Sequence, residues 1–129
     1  MFDLTPFTKL EVAGPGALGY MQYITGNNMD RPVGRIIYTS MLNERGGIKC
    51  DLTVTRLAEE RFMVVTGGST GVHDLQWMRR FLPEDASVDI TDVSSFWSFK
   101  RPGTSVKNTS FAAFKAFATA AAAVSALML

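Results

Sequence analysis

The sequence predicts an α+β fold in which an antiparallel β-meander packs against two helices. Residues 35–42 are rich in β-branched and aromatic side chains, residues 43–47 supply the Asn and Gly of a turn, and residues 48–56 alternate between apolar and polar. Residues 62–66 give a third strand after a charged corner. Three strands joined by short connections form a meander, and the remaining elements are placed around it.

The flanking segments add two strands and two helices. A glycine-proline break follows the first strand, and Pro83 ends the second helix. Val72, Leu75 and Met78 recur at helical spacing and predict the buried side of that helix. The order is β, α, β, β, β, α, β, in which helices lie on one face of antiparallel pairs. The predicted ranges are 7–12 and 87–93 for the strands, and 17–25 and 72–82 for the helices.

Composition limits the function classes. The 129 residues are 47% hydrophobic and suffice for one globular domain. A formal net charge of +1 gives no general attraction to nucleic acid, so we expect no such partner. One Cys and one His exclude an intramolecular disulfide and a zinc site of ordinary spacing, so we expect no metal. A reducing, cytoplasmic location follows as the default.

The chain changes character after residue 95. All twelve acidic residues lie at or before Asp92, whereas residues 93–129 carry four Lys and Arg and no acid. Residues 111–129 are Ala-rich and predict a helix, but Ala is barely hydrophobic and Lys115 lies within the segment. We therefore expect a helical or low-complexity tail over 96–129 and no membrane span.

Asp51 is the candidate functional residue of the meander. Alternation places it on the polar face of its strand with Lys49 and Thr53, and places Cys50 on the apolar face as an inert thiol. One interpretation is a solvated carboxylate that pairs with Lys49. The other requires a concavity, in which Asp51 holds a proton from a bound amine while Tyr38 stacks on an aromatic ligand.

A glycine-rich turn offers an alternative function. Residues 67–71 follow a strand and open a helix, so their amides could hold a phosphate, as in the nucleotide site of short-chain dehydrogenases. Asp89 lies at the distance of a ribose-binding acid. Against this, His73 replaces a further glycine, the strands look antiparallel, and no downstream Tyr serves a Tyr-x-x-x-Lys pair. A helix entry that needs small residues is the competing interpretation, with His73 on the helix surface.

Four stretches carry a family resemblance, and the third is one long run made of residues 38–43 and 46–56. The chain resembles the folate-binding half of dimethylglycine and sarcosine dehydrogenases, which is similar to the aminomethyltransferase (T-protein) of the glycine cleavage system. The resemblance runs from residue 2 to residue 95. The stretches are residues 3–18, 27–34, 38–43, 46–56 and 64–68.

The resemblance implies a domain that binds tetrahydrofolate and captures a one-carbon unit from an iminium or aminomethyl donor derived from a methylated glycine. In the family, the acid of a Gly-Gly-x-x-x-Asp-Leu motif touches the folate near the reacting nitrogen, and that role falls on Asp51. Tyr38, in the matching Tyr-Thr-x-x-Leu-Asn motif, and Thr53 would line the folate pocket.

The chain also departs from the family. The dehydrogenases carry a flavin (FAD) domain before this region, and their folate domain continues beyond residue 95. We therefore expect residues 1–95 to be a partial folate domain and residues 96–129 to be divergent or out of frame. A fragment of this kind would be weakly active or inactive alone, would expose sheet edges for self-association, and would reside in the mitochondrial matrix if eukaryotic. The alternative is a non-catalytic module that needs a partner chain.

Overall fold

Five strands and two helices form the fold, in the order that the sequence predicts. The computed structural model describes residues 6–95, and the predicted Ala-rich helix lies outside these residues. Within residues 6–95, no helix is long and apolar enough to cross a membrane. The elements are β1 Thr8–Ala13, α1 Ala17–Ile24, β2 Ile36–Leu42, β3 Ile48–Ala58, β4 Arg61–Thr66, α2 Gly71–Arg80 and β5 Asp89–Asp92.

The strands form one antiparallel sheet in the order β2-β3-β4-β1-β5. The meander β2-β3-β4 is confirmed, and the side chain of Asn43 organises its first turn. Asn43 Oδ1 accepts hydrogen bonds from the amides of Arg45 and Gly47, both at 2.9 Å, and Gly46 takes a φ of +77° that favours glycine. The side chain of Asn43 therefore closes the turn that joins β2 to β3.

Both helices pack on one face of the sheet, here called the core face. Tyr20 of α1 donates a buried hydrogen bond of 2.7 Å to the carbonyl oxygen of Met78 in α2, which joins the two helices. Burial raises the pKa of the Tyr20 phenol above its ordinary value. The fully buried apolar side chains of this face include Leu10, Val12, Met21, Met41, Val54, Phe62 and Val64.

The buried side of α2 differs from the prediction. Val72 was predicted to face the core, but it is 78% exposed, whereas Gly71, Asp74 and Met78 are buried. The reason is close packing at the helix start, where a Cβ on Gly71 would clash with the Thr8 side chain. α2 is therefore rotated so that Gly71 packs against β1. The same rotation buries the side chain of Asp74.

Candidate functional site

The three residues predicted for the site lie together on the opposite face of the sheet, here called the site face. Tyr38 of β2 pairs across the strands with Thr53 of β3, and Ser40 pairs with Asp51. Residues two apart on a strand share a face, so these four side chains form a contiguous patch. The structure thus brings Asp51, Tyr38 and Thr53 together, and it adds Ser40.

Asp51 is exposed and held by its neighbours. The Ser40 hydroxyl donates a hydrogen bond of 3.0 Å to Asp51 Oδ1. Partial burial raises the pKa of the Tyr38 phenol, and hydrogen bonding to the Asp51 carboxylate raises it further. Tyr38 therefore remains a neutral donor at physiological pH, and Asp51 presents an oriented carboxylate that solvent and a ligand can reach.

One of the two interpretations of Asp51 paired it with Lys49, but the ion pairs within residues 6–95 do not join these two residues. Met41 pairs with Cys50 and Leu42 pairs with Ile48, so Lys49 is left without a cross-strand partner in a β-bulge. A bulge breaks strict alternation, and the Lys49 ammonium lies 4.6 Å from the centre of the Trp77 ring on α2.

A cavity of about 410 Å³ opens beside Tyr38. Asn27 donates a 3.1 Å hydrogen bond from Nδ2 to the carbonyl oxygen of Tyr38 and anchors the loop that forms one wall. The Tyr38 side chain is 46% exposed, so part of its ring is available to a ligand. The lining residues are Asn27, Arg31, Pro32, Arg35, Ile37 and Tyr38.

Arg56 holds the loop of residues 26–35 against the sheet. Its side chain is buried, and its Nη1 donates 2.8 Å hydrogen bonds to Asp30 Oδ1 and to the carbonyl oxygen of Arg31. Nη2 bonds Glu59 Oε2 at 3.0 Å, whereas Nε is buried without a hydrogen-bond partner among the described residues. A buried guanidinium with this many charge-assisted bonds fixes the cavity wall.

We expect the substitution Arg56→Leu to lower the free energy of unfolding by about 2 kcal/mol, because it removes several hydrogen bonds that involve a charged group. The loss stays moderate because the side chains of Asp30 and Glu59, 66% and 83% exposed, return to water. Urea unfolding monitored by circular dichroism measures it. Arg45→Leu, at an exposed turn residue, is the matched control. Equal midpoints for the two variants would contradict the anchoring role.

The glycine turn of residues 67–71 packs against the chain. A Cβ on Gly68 would clash with the carbonyl oxygen of Pro6, so this glycine permits close approach of the chain's own backbone. β4, which precedes the turn, has antiparallel neighbours on both sides. A dinucleotide site of the kind considered from the sequence requires parallel strands, so the topology contradicts that alternative.

A second polar cluster lies on the core face around Asp74. Its Oδ2 accepts hydrogen bonds from the hydroxyls of Thr66 at 2.5 Å and Thr70 at 2.9 Å. His73 is on the helix surface as predicted, with Nδ1 3.2 Å from Asp74 Oδ1. Burial, followed by the Asp74 carboxylate as the second cause, raises the pKa of the Cys50 thiol to about 12. The cluster thus anchors α2, and its thiol is inert as predicted.

Sequence reasoning missed Ser40, Asn27 and Arg56. Ser40 could not be assigned to Asp51 by counting back from the Asn43 turn, because the bulge at Lys49 shifts the register and an unbroken count would place Ser40 opposite Cys50. No sequence pattern indicated that Arg56 is buried, since a charged residue at the end of an alternating strand is normally solvated.

Comparison with known proteins shows that the chain matches one family model and is similar to several longer proteins. The family model described as the GCVT N-terminal domain matches residues 1–99. The chain is 36% identical to the mitochondrial pyruvate dehydrogenase phosphatase regulatory subunit of Mus musculus, over 77% of this chain and 11% of that protein. It is 42% identical to the 4-methylaminobutanoate oxidase (formaldehyde-forming) of Paenarthrobacter nicotinovorans, over 62% of this chain and 10% of the oxidase.

Aminomethyltransferases match in both sequence and structure. The enzyme of Cupriavidus taiwanensis is 36% identical over 61% of this chain and 22% of its own length. The crystal structure of the glycine cleavage system aminomethyltransferase T from Bartonella henselae superimposes with a TM-score of 0.66 and 29% identity, over 72% of this chain and 26% of that protein. The chain therefore spans a tenth to about a quarter of the length of these relatives.

Proposed function

Because the chain belongs to the family of the GCVT N-terminal domain, we propose that residues 1–95 are part of a tetrahydrofolate-binding domain for one-carbon transfer. The aminomethyltransferases and the methylaminobutanoate oxidase among its relatives share, by their names, chemistry at a carbon bonded to an amine nitrogen. The donor we propose is an iminium derived from a methylated glycine, as in dimethylglycine and sarcosine dehydrogenases.

One observation carries the proposal. Asp51 stands accessible on the site face, oriented by the Ser40 hydroxyl and near Tyr38, which lines the neighbouring cavity. A bound folate requires an acceptor for its amine hydrogen and an aromatic surface for its rings, and the described residues supply both.

The chemistry proposed for the chain depends on the charge of Asp51. Tetrahydrofolate would supply a secondary amine that adds to the iminium carbon, so that the electron pair of the C=N bond returns to the donor nitrogen. That nitrogen then takes a proton and leaves as the free amine when its bond to the transferred carbon breaks. A carboxylate beside the cationic donor stabilises its positive charge, and it can take the proton that the amine sheds as its bond to carbon forms. Ser40 acts as a positioning residue, because its hydrogen bond fixes the direction of one Asp51 oxygen, and Tyr38 lies beside Ser40 on the same face. Thr53, opposite Tyr38, lines the same surface.

Titration of the purified 129-residue chain with tetrahydrofolate tests the proposal. We expect Asp51→Asn to weaken binding by roughly 10-fold or more, since it removes a charge-assisted hydrogen bond. Glu84→Gln makes the same change of charge at an exposed position and should bind as the wild type does. If the Asp51→Asn chain and the wild type bound tetrahydrofolate with equal affinity, the role proposed for Asp51 would be wrong.

A second candidate function is a non-catalytic module that docks on a partner. One relative is named a regulatory subunit, and the structure has an aromatic cavity of about 260 Å³ at the ends of the two helices, lined in part by Tyr23, Trp77 and Phe81. Such a module would show no saturable binding of tetrahydrofolate in the same titration, for the wild type or any variant.

We also propose the division of the chain at residue 95 and a cytoplasmic location, or the mitochondrial matrix in a eukaryote. Limited proteolysis followed by mass spectrometry would test the division, because cleavage should concentrate after residue 95 and spare the sheet.

A further inference from the structure

β2 lies at an edge of the sheet, and a loop pairs with its outer side. Within residues 6–95, its one strand neighbour is β3. Alternate residues of an antiparallel strand direct their N–H and C=O groups away from that neighbour, and an edge strand leaves these groups unpaired. On β2, the carbonyl oxygens of Tyr38 and Ser40 point outward in this way, and both accept hydrogen bonds from the loop after α1. Thr25 at the start of that loop also forms an antiparallel bridge with Met41. The loop therefore takes the place of a neighbouring strand.

Two hydrogen bonds join this loop to the main chain of the site. The Gly26 amide donates to the carbonyl oxygen of Ser40 at 3.0 Å, and Asn27 donates from Nδ2 to the carbonyl oxygen of Tyr38 at 3.1 Å. The first is a backbone bond that any residue except proline would supply at position 26. The second requires a side-chain donor, so it depends on the identity of residue 27.

The orientation of the Asn27 amide group is fixed at both ends. Its Oδ1 accepts a hydrogen bond of 2.8 Å from the amide of Asn28, while its Nδ2 donates to Tyr38. Exchanging the oxygen and the nitrogen would place donor against donor and acceptor against acceptor, so one orientation alone satisfies both contacts. An aspartate at this position would keep the bond from the Asn28 amide and would lose the donor to Tyr38.

The ring of Tyr38 depends on this support of its main chain. The side chain is 46% exposed, so packing holds it less tightly than it holds a buried ring. An aromatic surface adds most to affinity when it is already in place, because a mobile ring must be ordered as the ligand binds. A bond that fixes the main chain of Tyr38 therefore lowers the cost of presenting its ring to a ligand.

We propose that Asn27 is a positioning residue of the folate site, which fixes the main chain of β2 and through it the Tyr38 ring. This inference rests on the proposed function and adds to it a residue that lies outside the sheet. Because Asn27 acts through Tyr38, its contribution to binding should disappear when the Tyr38 ring is absent.

Calorimetric titration of the full chain with tetrahydrofolate tests this role. We expect Asn27→Asp to weaken binding about 3- to 10-fold, which corresponds to the loss of one hydrogen bond. Asn28→Asp is the matched control, because it adds the same charge at the next residue. Asn28 Oδ1 accepts hydrogen bonds from Gln22 Nε2 and from the amide of Asp30, both at 2.9 Å, and a carboxylate keeps both. The affinity of this control should equal that of the wild type.

A double-mutant cycle with Tyr38→Ala separates positioning from other roles. In the Tyr38→Ala background, Asn27→Asp should cause no further loss of affinity. An equal loss in both backgrounds would overturn the proposal, because it would indicate direct contact of Asn27 with the folate or a general disturbance of the fold.

The ligand-free chain gives a second measurement, which does not depend on the affinity of the Tyr38→Ala chain. The sequence has three tyrosines, and NMR relaxation of isotope-labelled tyrosine rings reports on each of them. Asn27→Asp should raise the mobility of the Tyr38 ring and leave the rings of Tyr20 and Tyr23 unchanged, whereas Asn28→Asp should change none. An unchanged Tyr38 ring in the Asn27→Asp chain would overturn the positioning role.

The two proposals fail in different ways. If the wild type binds tetrahydrofolate and the Asn27→Asp chain binds it equally well, the role of Asn27 is wrong and the proposed function stands. If the wild type does not bind tetrahydrofolate, the proposed function and the role of Asn27 are both wrong.

Discussion

Replacing Phe62 by alanine is expected to lower the free energy of unfolding by about 3 to 5 kcal/mol, because it opens a cavity in the core. Phe62 lies in β4, is fully buried, and packs in the apolar cluster between the sheet and both helices. A domain of this size has a total stability of about 5 to 15 kcal/mol, so the variant keeps only a part of it.

The Phe62→Ala substitution should also disturb the candidate functional site. The Arg56 guanidinium carbon lies 5.7 Å from the centre of the Phe62 ring, so loss of the ring removes one support of the residue that anchors the loop 26–35. Urea unfolding measures the stability. Phe7→Ala, at a phenylalanine that is 38% exposed, is the matched control and should cost less than about 1 kcal/mol. Similar losses for the two variants would show that Phe62 is not central to the core.

The thiol of Cys50 is expected to react with iodoacetamide on the order of 10³-fold more slowly in the folded chain than in the unfolded chain at pH 8.5. Burial, with the Asp74 carboxylate as the second cause, raises the pKa of this thiol from 9.0 to about 12, and only the thiolate reacts. Cys50 is the single cysteine of the sequence, so the rate reports on this one position.

The same pKa shift predicts a pH dependence of stability. Because the folded chain holds the thiol proton more tightly, the stabilisation is complete below about pH 9 and is lost as the pH rises toward 12. Labelling in urea gives the reference rate for the unfolded chain. A native rate within tenfold of that reference would contradict the buried, protonated thiol. Asp74→Asn removes the second cause and should speed native labelling.

The meander was predictable because its signals are local. Alternation in residues 48–56 and the Asn and Gly of the turn define β2 and β3, and alternation placed Asp51 and Thr53 on one face. The pairing of Thr53 with Tyr38 depends on the bulge at Lys49, which no local pattern indicates. The positions of β1 and β5 depend on pairing between distant segments. β1 lies between β4 and β5, which no local pattern indicates.

The remaining differences arise where polar groups are buried. The apolar spacing of α2 pointed to Val72, but hydrogen bonds from Thr66 and Thr70 allow Asp74 to enter the core instead. Arg56 is buried for a similar reason, since it bonds Asp30 and the carbonyl oxygen of Arg31, which are distant in sequence, and also Glu59, three residues further on. Hydropathy patterns describe apolar burial and carry no information about which polar groups will find partners.

The bulge at Lys49 determines the local electrostatics of the transfer chemistry. Had β3 kept strict alternation, an ammonium would stand one residue pair from the Asp51 carboxylate and compete with a cationic donor for it. Instead, the extra residue sends that ammonium to the Trp77 ring, and no basic side chain within residues 6–95 lies within 4 Å of the Asp51 oxygens. The irregular pairing near the hairpin tip thus leaves the Asp51 carboxylate without a basic neighbour, as the chemistry proposed for a cationic donor requires.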